Sequence, residues 1–226
     1  MPGRQEDYML KTAIFDMDGL LVDSEPLWRE AEKAAFLKVD MELTDADCKL
    51  TMGNRTSEVV DYWWHRSPWQ RLSPKEVEDD ITENVRQLII EKAEPLPGVD
   101  YIINFFKEMD FKIALASSSC MVLIDTVVDK LNLRKKLDII CSAENEEYGK
   151  PHPAVFLNTA KKLNVLPVEC LVFEDSVLGL IAAKAAQMKC VVVPAIEDQS
   201  DQRFVLADFM LDSLEQFEEE ELQNLN

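Results

Sequence analysis

Positively charged residues are scarce in this chain of 226 residues, since 24 lysines and arginines stand against 43 aspartates and glutamates, a net charge of −19. A surface of this sign repels the phosphates of nucleic acids and the headgroups of anionic lipids. We therefore expect no nucleic acid and no membrane among its partners. No uncharged run reaches membrane-spanning length, and no long apolar segment follows the charged residues at the start of the chain. The sequence therefore predicts a cytoplasmic protein.

Cysteine pairs are absent as well. The five cysteines are odd in number, irregularly spaced and free of any CxxC motif, and most of them stand beside apolar residues. This pattern disfavours a disulfide framework and a cysteine-bound metal cluster, and it favours reduced, buried thiols. The cysteines are Cys48, Cys120, Cys141, Cys170 and Cys190.

Short apolar runs are what the chain has instead, and five of them predict buried parallel strands. A helical pattern separates each of the last four runs from the next, as in βαβ units. With 47% hydrophobic residues the chain can build a sizeable core. We therefore predict an α/β fold with a Rossmann-like, doubly wound parallel sheet. The runs are residues 11–15, 112–116, 138–141, 170–174 and 189–193.

Strand patterns are missing between residues 27 and 93, where only helical patterns occur. The longest of these begins after Ser73, a favourable N-cap residue, with Pro74 in its first turn. Prolines and a glycine in the segments VDSEP and AEPLPGV indicate hinge-like links at either side. We therefore predict an all-helical domain inserted into the sheet domain. The predicted boundaries are 1–22 and 94–226 for the α/β core and 23–93 for the inserted domain.

Carboxylates, hydroxyls and one lysine stand just beyond the predicted strand ends. In a doubly wound sheet, ligands bind in the crevice at the carboxyl ends of the strands, so these side chains form the candidate site. Each of them alone has an ordinary structural explanation, such as a capped turn, a helix N-cap or a solvated lysine. Their occurrence together at one sheet edge favours a functional site. The set is Asp16 and Asp18, Ser117 to Ser119, Lys150, and Glu174 with Asp175.

The pair Asp16 and Asp18 is typical of phosphoryl transfer through an aspartate. A carboxylate attacks phosphorus when the charge of the phosphate is neutralised, and the product is an aspartyl phosphate. Residues two apart on an extended chain face the same way, so we expect Asp18 beside the attacked phosphorus. There it would act as general acid toward the leaving oxygen and then as general base toward water. Gly19 permits the sharp turn that this arrangement needs.

Neutralising the phosphate requires positive charge. Mg²⁺ prefers oxygen ligands, and the carboxylates of Asp16 and Asp175, on neighbouring strands, are the expected pair of ligands. Lys150 adds a point cation, and Ser117 precedes a predicted helix whose N-terminus favours phosphate oxygens. The expected cofactor is therefore Mg²⁺, and the expected partner is a small-molecule phosphate ester.

Four segments resemble the motifs of the haloacid dehalogenase superfamily, in its subgroup with a helical cap inserted between the first two motifs. They are FDMDGLLVDSEP, ALASSS, GKPHPAVF and VFEDSVLGLIAA. We use the name helical cap for residues 23–93. The resemblance implies that Asp16 is the nucleophile and Asp18 the general acid/base. It implies that Ser117, Ser118 and Lys150 bind the phosphate. It also implies that Asp16, the Asp18 carbonyl and Asp175 are metal ligands, with Glu174 in or just behind the metal shell.

Three further segments, DSEPLW, DYWWHRSPW and DQRFVLADFML, resemble bacterial sugar phosphatases of this superfamily that act on 2-deoxyglucose 6-phosphate and hexitol phosphates. The resemblance implies a Mg²⁺-dependent phosphomonoesterase for small sugar or sugar-alcohol phosphates. An isomerase similar to β-phosphoglucomutase is the alternative, and a non-catalytic binding protein is a third hypothesis. In the mutases a histidine of the cap linker helps to position the proton-transfer aspartate. The matching residue here is Trp28, which favours hydrolysis.

The helical cap is where substrate selectivity is expected, and its residues are the hardest to assign. Arg55 follows a glycine-led loop that matches a cap loop reaching into the site of related enzymes, so it is a predicted substrate-binding residue. His152 is expected to point to solvent, and the protein is expected to be a monomer or weak dimer. Four side chains with rings have two possible roles: they line a substrate pocket, or they pack in a core, which is commoner on an amphipathic helix. They are Trp63, Trp64, His65 and Trp69.

Overall fold

The computed structural model describes residues 9–226, and at its centre is a sheet of six parallel strands in the order β3-β2-β1-β4-β5-β6. The prediction of an α/β, Rossmann-like doubly wound sheet is confirmed. Residues 1–8 of the predicted core domain lie outside the described residues. The strands are β1 (Thr12–Phe15), β2 (Lys112–Ser117), β3 (Ile139–Ser142), β4 (Cys170–Glu174), β5 (Lys189–Val192) and β6 (Phe209–Met210).

Successive residues of the central strands face two separate hydrophobic layers. Phe15, in register with Phe173 of β4, belongs to one layer, and its neighbour Ile14 belongs to the other. Because side chains alternate along a strand, a strand covered on both faces is apolar at every position, as the predicted runs are. Helices α5 (Val99–Glu108), α6 (Met121–Lys130) and α9 (Glu219–Leu225) pack on the first face, and α7 (Ala154–Leu163) and α8 (Val177–Ala185) pack on the second.

Four helices lie between β1 and α5, and residues 27–93, all of them described, contain no strand. α1 and α3 both pack against α4, and α4 also contacts α6 of the sheet domain. Ser73 is the N-cap of α4, as predicted, and it forms a capping box with Glu76. The helices are α1 (Glu25–Leu37), α2 (Asp45–Lys49), α3 (Thr56–Arg66) and α4 (Pro74–Lys92).

The two links between the helical cap and the sheet lie side by side. The backbone N–H of Leu96 donates to the carbonyl of Leu21 at 3.2 Å, and that of Asp23 donates to the carbonyl of Glu94 at 3.4 Å. The chain therefore leaves and re-enters the sheet domain at one place. Paired links of this kind are where a hinge between two domains would lie. They lie next to the predicted domain boundaries, which remain a prediction.

The tryptophans of α3 and the loop after it form an aromatic cluster. Trp63 and Trp69 are buried, and both pack edge-on against Phe36 of α1. Trp64 packs edge-on against Trp69, while His65 is exposed. The three tryptophans therefore belong to the core of the cap, whereas His65 does not. Within residues 9–226, none of the helices combines the length and the apolar character needed to cross a bilayer.

Candidate active site

The site lies at the carboxyl ends of β1, β2 and β4, where the strand order reverses around β1. This is the position at which doubly wound sheets bind ligands. Helix α1 of the cap closes the other side of the cavity. The structure brings seven of the candidate residues to the lining of this one cavity: Asp16, Asp18, Ser117, Ser118, Ser119, Lys150 and Asp175.

Lys150 occupies the centre of a buried charge cluster. Its Nζ lies 2.5 Å from Asp16 Oδ1 and 2.6 Å from Glu174 Oε1, and the lysine is only 4% exposed. Burial raises the pKa of Asp16 to about 7, against the opposing charge of Lys150, and the charges of Glu174 and Asp18 add to the rise. One ammonium therefore does not neutralise the carboxylates that surround it.

Asp175 completes a group of three carboxylates. One oxygen each from Asp16, Glu174 and Asp175 lie within 4.8 Å of one another. Burial and the charges of Glu174 and Asp16 raise the pKa of Asp175 well above its ordinary value. Gly19 has φ +73°, and a Cβ there would overlap the Asp175 carboxylate, so this close approach requires glycine. A group of carboxylate oxygens whose negative charge is only partly neutralised by Lys150 fits a hard divalent cation.

Glu174 lies behind the other two carboxylates. It is fully buried and does not line the cavity. Its Oε1 accepts from Lys150, and its Oε2 accepts from the Ser176 hydroxyl at 3.0 Å and from two backbone amides. A Cβ on Gly179 would overlap this carboxylate. Both oxygens of Glu174 are already bound by protein donors, so this side chain fits a position behind a cation better than one in contact with it. Of the three carboxylates in the group, Asp16 and Asp175 are the two that face the cavity.

Asp18 is held by donors from both sides of the cavity. From the cap side, the Ser24 hydroxyl and the Trp28 indole Nε1 donate to Oδ1 at 2.6 and 3.0 Å. From the sheet side, the Ser119 hydroxyl donates to Oδ2 at 2.7 Å, and Ser117 lies at 3.5 Å from the same oxygen. These contacts fix a carboxylate two residues from Asp16 without any cation partner. The sequence analysis missed Ser24, although it lies in the VDSEP link.

Ser118 carries a hydroxyl with nothing to bind. Its Oγ is buried and has no hydrogen-bond partner, although it lines the same cavity as Asp16. It stands just before helix α6, whose N-terminal amides favour an anion. Buried hydroxyls are normally paired, so the Ser118 hydroxyl is a donor available to a phosphate oxygen in this cavity.

Arg55, the predicted substrate-binding residue of the helical cap, does not line the cavity. Its guanidinium donates to the carbonyl of Glu146 at 2.7 Å and to Glu58 at 2.6 Å. The side chain therefore joins α3 to the loop after β3, and the geometry does not support substrate binding by Arg55. The loop itself reaches the cavity, since Gly53 and Asn54, the two residues before Arg55, line it. His152 is exposed, as expected.

One face of α1 supplies four cavity residues, of which only Trp28 was singled out from the sequence. Glu25, Trp28, Arg29 and Glu32 all line the cavity. Their spacing of three, four and seven positions along a helix places them on one side, and this spacing was the signal that could have found them. Burial and the charge of Asp18 raise the pKa of Glu25 to about 7. The cap wall of the cavity is therefore polar and charged.

Comparison with known proteins identifies the family of this chain. Residues 13–193 match the family model described as haloacid dehalogenase-like hydrolase. Hexitol phosphatase B of Escherichia coli strain K12 is 46% identical over 208 residues, which are 89% of this chain and 91% of that protein. A fructose-1-phosphate phosphatase of the same strain is 31% identical over 184 residues, 80% of this chain and 94% of that protein. A crystal structure of β-phosphoglucomutase from Clostridium difficile has a TM-score of 0.83 at 25% identity, and the match covers 96% of this chain and 97% of that one. The chain belongs to the haloacid dehalogenase-like hydrolase family.

Proposed function

We propose that this protein is a Mg²⁺-dependent phosphomonoesterase that hydrolyses small sugar or sugar-alcohol phosphates through an aspartyl phosphate on Asp16. The observation that carries the proposal is the cavity itself, in which the Asp16 and Asp18 carboxylates and the unpartnered Ser118 hydroxyl face one space. The similarity to a hexitol phosphatase and a fructose-1-phosphate phosphatase supports a sugar phosphate as the substrate.

The reaction divides into two displacements at phosphorus. In the first, an Asp16 oxygen forms a bond to phosphorus while the bond from phosphorus to the sugar oxygen breaks. Asp18 donates a proton to that leaving oxygen, which departs as an alcohol. In the second, a water oxygen forms a bond to phosphorus while the bond from phosphorus to Asp16 breaks, and Asp18 takes a proton from the water. Inorganic phosphate leaves, and the Asp16 carboxylate is restored. Asp18 returns to its protonated state, so the two steps balance.

The binding groups hold the phosphate during both steps. The Ser118 hydroxyl donates to a phosphate oxygen, and Lys150 offsets negative charge beside Asp16. Asp16 and Asp175 would hold Mg²⁺, with Glu174 behind them. When bound, Mg²⁺ supplies charge stabilisation for the phosphoryl oxygens during transfer.

Phosphate release from sorbitol 6-phosphate, with Mg²⁺ and with EDTA, tests the proposal. We expect turnover only with Mg²⁺, and we expect Asp16→Asn to abolish it because an amide cannot form the acyl phosphate. Asp18→Asn should slow turnover roughly 10²- to 10⁴-fold through the loss of proton transfer. Asp40→Asn, an exposed aspartate at the end of α1, is the matched control and should keep full activity. Steady-state turnover by a clean Asp16→Asn preparation would contradict the nucleophile.

Isomerisation is the second candidate, because the fold matches that of a β-phosphoglucomutase. Against it, Asp18 receives the indole N–H of Trp28 at the position where the resemblance places a mutase histidine. An indole donates one hydrogen bond and cannot relay a proton. The test is to supply β-glucose 1-phosphate, Mg²⁺ and a trace of glucose 1,6-bisphosphate, and to follow both products. Glucose 6-phosphate appearing well ahead of free phosphate would establish the mutase instead.

A further inference from the structure

Glu32 is a buried carboxylate that the proposed reaction does not use. It lies on the cavity-facing side of α1, two turns beyond Glu25, and it is only 7% exposed. Its Oε2 is buried and has no hydrogen-bond partner. Glu32 therefore differs from Asp18 and Glu174, each of which accepts hydrogen bonds from protein donors on both carboxylate oxygens.

The surroundings of Glu32 do not satisfy it. Burial raises its pKa to about 7, while a hydrogen bond from the Cys48 thiol and the charge of Arg29 act in the opposite direction. The two basic side chains of α1 near Glu32 are paired with other residues: Arg29 lies within salt-bridge distance of Glu25 and Asp45, and Lys33 pairs with Asp45. A thiol is a weak donor and leaves the second carboxylate oxygen free. Leaving a buried acceptor unpaired is costly, so a partner from outside the protein is expected at this position.

The character of that partner follows from where Glu32 lies. The groups proposed to bind phosphate, Lys150 and Ser118, are on the sheet side of the cavity, and Glu32 is on the cap side. A phosphate held by the sheet side would thus place its alcohol part next to α1. A carboxyl group accepts hydrogen bonds and repels a second anion, so it selects uncharged donors. Hydroxyl groups of a carbohydrate or polyol are such donors.

We propose that Glu32 determines substrate specificity by accepting hydrogen bonds from hydroxyl groups of the alcohol part of the substrate, an inference that rests on the proposed phosphatase function. The substrate class is then a phosphate ester of a polyhydroxylated carbon chain. An ester without hydroxyl groups leaves the Glu32 carboxylate unpaired and gains nothing from it. Sites built to hydrogen-bond a hydroxyl reject analogues that lack one for this reason.

The experiment compares two phosphate esters across four proteins. Sorbitol 6-phosphate carries the hydroxyl groups, and p-nitrophenyl phosphate carries none. The proteins are the wild type, Glu32→Leu, Glu32→Gln and the control Glu30→Gln, whose glutamate lies on the exposed side of α1 and pairs with Lys92. We expect Glu32→Leu to lower kcat/KM for sorbitol 6-phosphate by about 10- to 100-fold, mainly through KM. Turnover of p-nitrophenyl phosphate should change by less than about twofold.

Glu32→Gln keeps an acceptor oxygen and the side-chain volume, so its loss on sorbitol 6-phosphate should be smaller than that of Glu32→Leu, and Glu30→Gln should match the wild type. A parallel loss on both esters would assign Glu32 to the structure or to the chemical step and would overturn the inference. Unchanged kinetics on both esters would overturn it too. A wild type that releases phosphate from neither ester contradicts the proposed function itself. The wild-type reactions therefore distinguish a failure of the proposed function from a failure of the inference about Glu32.

Discussion

The ammonium of Lys150 is almost completely removed from water and touches two carboxylates, Asp16 and Glu174. An ion cluster of this kind is weak support for stability while it is complete, because desolvation offsets most of the attraction between the charges. Removing one member of the cluster is strongly destabilising, because the remaining charges stay buried without a partner. Lys150 therefore connects the chemistry of the site to the stability of the sheet domain.

The first prediction concerns Lys150→Met. We expect it to lower the free energy of unfolding by about 3–5 kcal/mol in EDTA, because two buried carboxylates lose their common cation. Mg²⁺ should recover part of this loss by supplying positive charge to Asp16. Urea unfolding with EDTA and with Mg²⁺ measures both effects. Lys184→Met is the control, since its pair with Asp208 is partly exposed and is worth about 1 kcal/mol or less. Equal losses in the two variants would contradict the buried cluster.

The second prediction concerns Gly179, in the first turns of α8. A glycine-to-alanine change inside a helix normally stabilises a protein by roughly 0.5–1 kcal/mol. Here the added Cβ would overlap the Glu174 carboxylate, which binds Lys150 and Ser176. We therefore expect the opposite sign, a destabilisation of about 1–3 kcal/mol, as for other overpacked positions. Thermal or urea unfolding of Gly179→Ala decides it, and a gain in stability would show that Glu174 is not held there.

Among single residues, the sequence was sufficient for those at strand ends. Asp16, Ser117 and Asp175 meet in one cavity because parallel strands end at the same edge of the sheet, a rule that needs no coordinates. Contacts across separate elements were not accessible in this way. Arg55 and Glu32 both lie in the helical cap, and only the packing angle of α1 and α3 decides which of them reaches the cavity.

At the scale of elements, α4 is the longest helix among residues 9–226 and carries the packing of the cap. Its Val77, Ile81, Val85 and Ile89 are fully buried and lie four apart, along one face. α1 and α3 pack on this helix, and α6 of the sheet domain contacts it. The start of α4 is fixed by Ser73, whose hydroxyl accepts from the Glu76 amide at 3.2 Å.

The third prediction concerns Ser73, the N-cap residue of α4. Ser73→Ala removes an acceptor for the first turn of α4 and should lower the free energy of unfolding by about 0.5–2 kcal/mol. Ser73→Asp keeps an acceptor and a favourable charge at a helix N-terminus, so it should stay close to the wild type. Since Ser73 lies outside the cavity, phosphate release at saturating substrate should be the same in all three proteins. A stability unchanged by Ser73→Ala would mean that water replaces the cap at no cost.

Helices and strands were predicted correctly where the sequence signal was local. The strands β1 to β5 and the N-cap residue of α4 were predicted, because buried apolar runs and capping residues are local signals. The edge strand β6 was missed, since its two residues carry no periodicity and its pairing with β5 depends on the fold as a whole. The hydrogen bonds between the two cap links were missed for the same reason, as Leu21 and Leu96 are far apart in sequence.

At the scale of the whole molecule, burial and negative charge act together. Asp16 has an ordinary pKa of 3.8, Glu25 and Glu32 have an ordinary pKa of 4.5, and burial raises the pKa of each to about 7. Between about pH 4.5 and 7 the folded protein therefore binds more protons than the unfolded chain at these groups. Their contribution to stability is complete below the unfolded pKa and is lost as the pH rises through the folded pKa. The net charge of −19 at pH 7 adds repulsion in the same direction.

The fourth prediction follows from that sign. In EDTA, the free energy of unfolding should fall as the pH rises from 5 to about 7.5. Glu32→Gln cannot titrate, so its decline should be shallower by up to about 1.4 kcal/mol per pH unit, the value for one proton. Urea unfolding across this range, with Glu30→Gln as the control that keeps the wild-type slope, measures the difference. Parallel curves for the wild type and Glu32→Gln would show that the pKa of Glu32 is not raised.

All four tryptophans of the chain, Trp28, Trp63, Trp64 and Trp69, lie in the helical cap. Three of them form or adjoin the cluster around Phe36, whereas the Trp28 indole donates to Asp18 at the base of the cavity. Tryptophan fluorescence of this protein thus has a constant background and a single emitter in contact with the candidate acid/base residue. We therefore expect a ligand that enters the cavity to change the emission of Trp28 more than that of the other three tryptophans. Fluorescence titration with inorganic phosphate and Mg²⁺ measures the change, and Trp28→Phe should remove most of it.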